Sequence, residues 1–137
     1  MAEKSFLLEV VTPRRLVLSE KVDEITAPGE QGEFGVLPGH TPFFSTLGIG
    51  EVMYRQGEKK RYIAVSWGFA EVLEDKVTIL AEIAELDTEI DVERAKRKKE
   101  MAEEKLKTMS ADHKDYLKVK ASLDKAMTRM IVAGRRM

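Results

Sequence analysis

The composition of the chain changes abruptly near residue 87, and this change constrains the fold more than any other feature. All four prolines and eight of the nine glycines lie before residue 69. Residues 88–137 contain no proline and one glycine, and they are rich in Ala, Lys, Glu, Leu and Met, which favour helices. Glycine and proline mark turns and the ends of strands. The sequence therefore predicts two units, residues 1–86 and residues 87–137, with different secondary structure.

The first unit is predicted to consist of short β-strands. Its apolar runs are brief and rich in Val, Ile, Tyr and Phe, which strands favour. In the run KVTILAEI, alternation predicts one shared face, made by Val77, Ile79, Ala81 and Ile83. Turn residues recur about every ten positions, a spacing typical of an all-β sandwich or barrel. No stretch of helical periodicity interrupts them, so a parallel sheet with crossing helices is not expected.

The second unit is predicted to form two helices. The first runs from about Glu89 to about Met109, and Thr88 precedes Asp91 by three positions, as in a capping box. Its apolar stripe is thin and consists of Ala95, Ala102, Leu106 and Met109. A polar stretch at residues 110–115 then supplies Ser110 or Asp112 as the cap of the second helix.

The second helix has a fuller apolar stripe at helical spacing, which comprises Tyr116, Val119, Leu123, Ala126, Met127, Met130 and Ile131. Two helices joined by a short polar turn form an antiparallel hairpin. Because such a hairpin buries too little apolar surface to be stable alone, we expect it to dock on the first unit. The predicted docking residues are Leu123, Met127, Met130 and Ile131.

The two units carry opposite net charge. Residues 1–87 have 9 basic and 15 acidic side chains, a net charge of −6, whereas residues 88–137 have 14 and 9, a net charge of +5. Such a separation indicates either that the units have different partners or that a helix pair has a lysine-rich solvated face. The sequence leaves both interpretations open.

Several classes of site are excluded by residues that the chain lacks. The absence of cysteine removes disulfides, thiolate zinc sites and cysteine nucleophiles. No apolar run approaches the ~20 residues of a membrane-spanning helix, and the acidic start MAEKSFLLEV is not expected to be a targeting peptide. His40 and His113 lie in different units without a metal-ligand pattern, and no glycine-rich phosphate loop occurs. We therefore expect no catalytic residue and no metal site.

A basic run, KRKK at residues 96–99, is the only candidate for nucleic-acid binding. It lies on a predicted helix among acidic residues, without the aromatic side chains on which bases stack. A solvated face or a surface for an acidic protein is the favoured interpretation, and no nucleic-acid partner is expected.

Residues 32–52, GEFGVLPGHTPFFSTLGIGEV, form the most unusual segment of the chain. Aromatic and aliphatic residues surround a Pro-Gly-His-Thr-Pro loop. The segment is either a tight corner of a sandwich whose aromatic side chains enter the core, or a rigid apolar loop presented to a partner. The local pattern does not separate these two hypotheses.

Three motifs resemble the epsilon subunit family of bacterial F-type ATP synthases. Residues 32–42 resemble its G-E-x-G-hydrophobic-x-P-G-H-x-P pattern. WGFAEV at residues 67–72 resembles its G-G-F-hydrophobic-E-V strand, and IDVERA at residues 90–95 resembles its I/L-D-x-x-R-A helix start. The motifs occur in family order and span most of the chain. Trp67 stands where the family pattern usually has glycine, so we expect Gly68 alone to form that turn.

This resemblance implies a mainly β protein with added helices: a ten-stranded N-terminal β-sandwich followed by a C-terminal antiparallel two-helix hairpin. It implies a non-catalytic rotor subunit in the central stalk of a proton-translocating complex, peripheral to the cytoplasmic face of the bacterial inner membrane. The implied partners are the gamma subunit, the ring of c subunits and, when the hairpin is extended and inhibits ATP hydrolysis, the alpha and beta subunits. Contact with the membrane would be indirect.

The resemblance also implies site residues. Glu33 and His40 would face the polar loops of the c ring. The basic face of the first helix would meet the acidic beta subunits, and it comprises Arg94, Arg97, Lys98 and Lys99. No cofactor is required, but some family members bind ATP as a regulatory ligand on the folded hairpin. The matching residues here are Ile90, Asp91, Arg94, Lys125 and Arg129.

The ATP site departs from the family pattern at two positions. Met101 replaces an expected arginine, and Lys125 replaces an arginine whose planar fork a lysine lacks. The alternative is that Asp91 only caps the helix and that Arg94 is solvated. Two other classes of function stay open: an adaptor unrelated to ATP synthase, and an ATP-responsive sensor that acts alone.

Overall fold

Seven β-strands followed by two α-helices make up residues 4–136, the part of the chain that this computed structural model describes. The strands are β1 (Phe6–Val11), β2 (Leu16–Val22), β3 (Glu24–Gly29), β4 (Gly32–Val36), β5 (Phe43–Gln56), β6 (Lys59–Val72) and β7 (Lys76–Leu86). A 3-10 turn, Asp87–Glu89, precedes the helices α1 (Val92–Lys107) and α2 (Tyr116–Gly134). The division of the chain into domains at residues 86 and 87 stays a prediction.

The strands form one sheet in the order β2-β1-β7-β6-β5-β3-β4. Neighbours are antiparallel except β1 and β7, which are parallel. Every strand contributes side chains to one core, and the largest fully buried ones include Phe6, Leu8, Ile25, Leu47 and Ile79. A single sheet encloses a core only by folding over itself, so the predicted β-sandwich followed by two helices is confirmed.

Residues 4–136 contain seven strands and not the expected ten. The difference arises because three long strands pass unbroken through a corner of the sheet. β5 and β6 have 14 residues each, and β7 has 11. The pairing ladder is interrupted along a line through Gly48, Trp67 and Glu82, which have no partners between regular pairs on either side. Counting the halves of these strands separately would give ten.

The corner also changes which residues of β7 face the core. Val77, Ile79 and Ala81 are buried there as predicted. Beyond the interruption at Glu82, however, the next core residue is Ala84, and Ile83 is only partly buried. The register of β7 with β6 is the same on both sides of the interruption. The positive φ values of Trp67 and Gly68 bend the sheet here, so the side of β7 that faces the core changes and the simple period of two fails at this point.

Two consecutive residues of β6 form this corner. Gly68 has φ +149°, and a Cβ atom there would overlap the carbonyl oxygen of Leu80 and lie 2.8 Å from the Cα of Ala81. Trp67 has φ 48°, a left-handed conformation that costs an L-residue about 1–2 kcal/mol. The turn is therefore shared by both residues, which corrects the expectation that Gly68 forms it alone.

The helices begin later than predicted. Asp91, not Thr88, caps α1, because its Oδ1 accepts a hydrogen bond from the backbone N of Arg94 at 3.1 Å. α2 begins after Asp115, beyond the predicted caps. The thin stripe of α1 is confirmed at Ala95 and Ala102, which are buried. Their small side chains let the two helices approach closely.

The hairpin docks through smaller residues than the sequence predicted. Val132 and Ala133 of α2 form a buried cluster with Ala64 of β6 and Ile90. Met127 and Ile131, two of the predicted docking residues, are 41% and 53% exposed, so that part of the prediction is wrong. The stripe of α2 is wider than its contact with the sheet, and its apolar period alone does not tell which edge is covered.

Neither α1 nor α2, the helices found in residues 4–136, is long and apolar enough to cross a lipid bilayer.

We expect Gly68→Ala to lower the free energy of unfolding by about 2–4 kcal/mol, because the new Cβ would meet backbone in a region open only to glycine. The measurement is urea denaturation of the full chain. Gly35→Ala is the matched control in another strand, since its Cβ would lie 3.6 Å from the nearest atom, the carbonyl oxygen of Ile25. Equal losses in the two variants would contradict the assigned role of Gly68.

Candidate functional site

The residues expected at the c ring lie beside a small aromatic cluster. The ring of Phe43 contacts Phe34 edge-on, with centroids 5.2 Å apart, and His40, with centroids 6.2 Å apart. Phe34 follows Glu33 on β4, so Phe43 connects the strand of Glu33 with the loop of His40. The Nδ1 of His40 lies 2.6 Å from the carbonyl oxygen of Thr41, which holds the imidazole against its own loop.

Both hypotheses about residues 32–52 apply in part. Phe34 packs against the core, as a sandwich corner requires. Leu37 and Phe44, in contrast, are 57% and 62% exposed, as expected for a loop and strand that meet a partner.

Four cations from the two helices lie together beside β7. Arg94 and Lys98 are one turn apart on α1, and Lys125 and Arg129 are one turn apart on α2. The charge of Arg94 lowers the pKa of Lys98, and burial and the charge of Arg129 lower it further. We call this group the cation cluster. Such an array of like charges is unfavourable by itself and is suited to a multivalent anion.

Two members of the cation cluster contact the sandwich directly. The Nε of Arg129 lies 2.6 Å from the Oε1 of Glu85, on β7. The Nζ of Lys125 lies 4.3 Å from the centroid of the Trp67 ring, within the range of a cation–π interaction. These contacts hold the cluster against the sheet when the hairpin is docked.

A cleft of about 170 Å³ opens between the start of α1 and α2, and it is lined by Glu85, Glu89, Asp91, Arg94, Ala95 and Arg129. Of the five residues predicted to bind ATP, the structure brings Asp91, Arg94 and Arg129 together here. Ile90 instead belongs to the buried cluster between the hairpin and β6, and its carbonyl oxygen accepts a hydrogen bond from the Nη2 of Arg136 at 3.1 Å. Lys125 does not line this cleft.

The predicted basic face of α1 is divided. Arg94 and Lys98 belong to the cation cluster, whereas Arg97 lines a groove on another side of the helix. Lys99 pairs with Glu103 at 3.2 Å. Sequence reasoning did not place Lys98 near the ATP candidates, although its spacing of four residues from Arg94 puts both side chains on one helical face.

Two ion pairs fix the segment that leads into the hairpin. Arg61 contacts the buried Asp87 at 2.9 Å, and Arg15 contacts Glu89 at 2.8 Å. Glu89 also accepts a hydrogen bond from the backbone N of Leu86. The bond from Arg15, with the backbone bond, keeps the pKa of Glu89 below its usual value despite partial burial. The entry to the hairpin is therefore anchored even if α2 moves.

An apolar stripe that sequence reasoning missed crosses five neighbouring strands on the outer face of the sheet. Phe69 lies opposite Leu80, Leu80 opposite Val11, and Val11 opposite Leu16. The stripe continues to Phe44, whose ring centroid is 5.4 Å from that of Phe69. These five residues are the outer stripe.

The outer stripe faces solvent in this chain. Leu16 is 56% exposed and Phe44 is 62% exposed, while Phe69 and Leu80 are more than one-third exposed. Contiguous exposed apolar patches of this kind mark interaction sites. The sequence signal was present, because Phe69 and Leu80 occupy positions that alternate with core residues, where polar side chains are expected.

Among residues 4–136, no group of three or more His, Asp or Glu side chains is arranged to hold a metal ion.

Both parts of the chain match known protein families. Residues 5–87 match the model described as the β-sandwich domain of the ATP synthase delta/epsilon chain, and residues 88–134 match its long α-helix domain. The ATP synthase epsilon chain 2 of Syntrophotalea carbinolica is 51% identical over 135 residues, covering 98% of this chain and 97% of its own. The ATP synthase epsilon chain of Geobacter metallireducens is also 51% identical, with the same coverage.

Solved structures agree with these matches. A chain from the mitochondrial ATP synthase of Euglena gracilis, solved as an assembly of OSCP, F1 and c ring, superposes with a TM-score of 0.79 at 27% identity, covering 99% of this chain and 84% of that chain. A chain from the central stalk and c ring of the Tetrahymena thermophila enzyme, at 11% identity and a TM-score of 0.55, shares the fold and covers 98% of both chains.

This sandwich with a helical hairpin is therefore the architecture of a small ATP synthase subunit. The chain belongs to the ATP synthase delta/epsilon family. Its curated relatives are epsilon chains, which are non-catalytic subunits, and this kinship confirms that the chain is not itself an enzyme. It also excludes the adaptor unrelated to ATP synthase.

Proposed function

We propose that the chain couples the gamma subunit to the c ring in a bacterial F-type ATP synthase, and restrains ATP hydrolysis through its hairpin. The observation that supports this most directly is the outer stripe. Five apolar side chains in a row across five strands, with two more than half exposed, are favourable only when a partner covers them. A rotor subunit must be held firmly by its neighbour to transmit torque.

The outer stripe is the proposed surface for gamma. Phe44 and Phe69 stack at its end, and aromatic side chains of this kind are the residues that dominate binding energy at protein interfaces. The surrounding positions Glu71 and Thr78 are polar, as is typical of the rim of an interface.

The end of the sandwich that carries Glu33 and His40 is the proposed surface for the c ring. Glu33 is exposed on β4, and β4 is an edge strand of the sheet. Its carboxylate is therefore accessible to the basic loops of c subunits, and an arginine can bind a carboxylate through two hydrogen bonds. In this arrangement the chain is peripheral to the cytoplasmic face of the inner membrane and contacts lipid only through the complex.

We expect Phe44→Ser and Phe69→Ser each to weaken binding to the purified alpha–beta–gamma complex about thirtyfold, since loss of an aromatic anchor at an interface typically costs about 2 kcal/mol. The measurement is isothermal titration of the complex with the chain. Leu37→Ser removes an exposed apolar side chain from the end of the sandwich proposed for the c ring, which this complex lacks, and is the matched control. An equal loss in the control would mean that the outer stripe is not the gamma surface.

Glu33→Lys tests the proposed c-ring surface independently of the proposed gamma surface. It should leave the affinity for alpha–beta–gamma unchanged and lower ATP-driven proton pumping by the reconstituted complex. Unchanged pumping would show that this end of the sandwich does not face the c ring.

A regulatory role of the hairpin is supported by the small amount of apolar surface that it buries against the sheet. Its buried contact with the sheet consists of small residues, mainly Ala64, Val132 and Ala133. A segment held by few apolar contacts opens at low free energy, so extension toward the alpha and beta subunits is accessible. The net charge of +5 on residues 88–137 favours an encounter with acidic beta subunits.

We expect replacement of Arg94, Arg97, Lys98 and Lys99 with alanine to raise ATP hydrolysis by the purified complex without loss of assembly. Deletion of residues 88–137 should raise it further. The reason is loss of attraction to the beta subunits, which also predicts a smaller difference as salt rises. The control replaces Arg14, Lys21, Lys59 and Lys60, an equal charge on the sandwich. Equal hydrolysis by wild type and both hairpin variants would rule out inhibition by the hairpin.

A second function, ATP binding as a regulatory ligand, is supported by the cation cluster. The cluster offers four positive charges from two helices, and phosphates bind such arrays through charge-assisted hydrogen bonds. The volume of the cleft, about 170 Å³, is smaller than the roughly 300 Å³ of typical ligand pockets. In addition, Arg129 already forms an ion pair with Glu85. Binding therefore requires this ion pair to open, which predicts modest affinity.

We expect Arg94→Ala and Arg129→Ala each to weaken ATP binding to the isolated chain about tenfold, as for loss of a hydrogen bond between charged groups. Arg97→Ala, on another side of α1, should leave it unchanged. Isothermal titration measures all three. Binding that is absent from the wild-type chain would exclude both this ligand and the sensor that acts alone.

A further inference from the structure

Trp67 occupies a position that a tryptophan does not favour. It is the only tryptophan of the chain and, within residues 4–136, the only residue other than glycine with a positive φ. A bulky aromatic residue in this conformation is an outlier, and such outliers persist where the surrounding structure supports them. The contacts of the Trp67 ring therefore indicate what supports this backbone conformation.

The ring of Trp67 faces α2 and not the core. It is absent from the core cluster and is 37% exposed. Lys125 of α2 lies over the ring, with its Nζ 4.3 Å from the centroid. Among aromatic rings, the indole of tryptophan gives the strongest cation–π interaction, so this corner of the sheet provides a binding face for a charge of the hairpin.

Two cations of α2 and one immediately after its end contact the sandwich, and each lies farther along the chain from the hairpin tip than the one before. Lys125 contacts Trp67, Arg129 contacts Glu85 at 2.6 Å, and Arg135, immediately after α2, contacts Glu51 at 2.7 Å. The apolar cluster with Ala64 involves only the C-terminal end of α2. Of the three contacts, the one at Trp67 is nearest to the tip, so it is the first to break when the hairpin opens from its free end.

Lys125 also lies in a repulsive environment. Lys98, Arg94 and Arg129 are members of the same cation cluster, and Glu85 is already paired with Arg129. The indole face gives Lys125 a partner that carries no charge and does not titrate.

We propose that Trp67 and Lys125 form a latch that sets how often α2 leaves the sandwich. The latch is a property of the isolated chain and does not depend on whether the extended hairpin inhibits ATP hydrolysis. It assigns a role to the one position where a family motif of this chain has tryptophan in place of glycine. Opening of α2 then exposes the only indole of the protein.

The test is a double-mutant cycle on the full chain, with hydrogen exchange of the α2 amides as the measure of opening. We expect Lys125→Gln to increase the opening constant about two- to thirtyfold in the wild-type chain, the range of a cation–π contact. In the Trp67→Leu variant, which keeps a side chain at the same φ, Lys125→Gln should no longer increase the opening constant. Lys125→Arg should restore protection, and Lys118→Gln, an exposed lysine of the same helix, is the matched control.

An equal increase from Lys125→Gln in both backgrounds would overturn the latch. If Trp67→Leu does not fold, the fluorescence of the single tryptophan gives the result in the chain with Trp67 present. Lys125→Gln should change its emission, while Lys125→Arg and Lys118→Gln should leave it close to that of the wild type. Identical emission in the wild type and Lys125→Gln would also overturn the proposal. Neither measurement involves the complex, so failure of the latch and failure of hairpin inhibition are read separately.

Discussion

The close approach of Gly68 to the backbone of Leu80 and Ala81 is the constraint on which the arrangement of surfaces depends. Only glycine allows β6 to pass β7 at this distance. The pairing ladder breaks there, and the sheet turns into a second layer. On one side of the corner the outer face of β6 carries Phe69 of the outer stripe. On the other side it carries Ala64, on which the hairpin docks. The proposed gamma surface and the regulatory element are thereby kept apart on one strand.

Sequence patterns predicted those features that depend on local chemistry. The change in glycine and proline content separated the strands from the helices, alternation placed Val77, Ile79 and Ala81 in the core, and small residues defined the buried side of α1. Patterns failed where a tertiary contact decides. The count of strands failed because a bent strand looks like two, and the outer stripe was missed because period two does not tell which apolar face is covered. The family resemblance named Asp91, Arg94 and Arg129, which line one cleft. It did not include Lys98, which lies four residues from Arg94 on the same helical face and belongs to the cation cluster.

The docked hairpin is held by a few directed contacts more than by apolar area. Methionine and isoleucine side chains on α2 point partly to solvent at Met127 and Ile131, while alanine and valine make the buried contact. Each ion pair at a partly exposed site contributes little, about 0–1 kcal/mol. A small sum is what the proposed regulation requires, because a two-state element responds to a ligand or partner only when the states differ by a few kcal/mol. Anchoring by Arg61–Asp87 and Arg15–Glu89 confines this exchange to the helices.

The opposite charges of the two units have a further consequence that neither sequence interpretation included. Part of the positive charge of the hairpin contacts the acidic sandwich of the same chain, through Arg129–Glu85 and Arg135–Glu51. Extension would exchange these intramolecular pairs for attraction to an acidic partner. Salt weakens both, since all of these groups are partly solvated. Ionic strength therefore shifts the equilibrium between the docked and the extended hairpin only by the difference in how much salt weakens the two sets of ion pairs. The contact of Lys125 with Trp67 involves no second charge, so its share of the docked state depends less on salt than the ion pairs do.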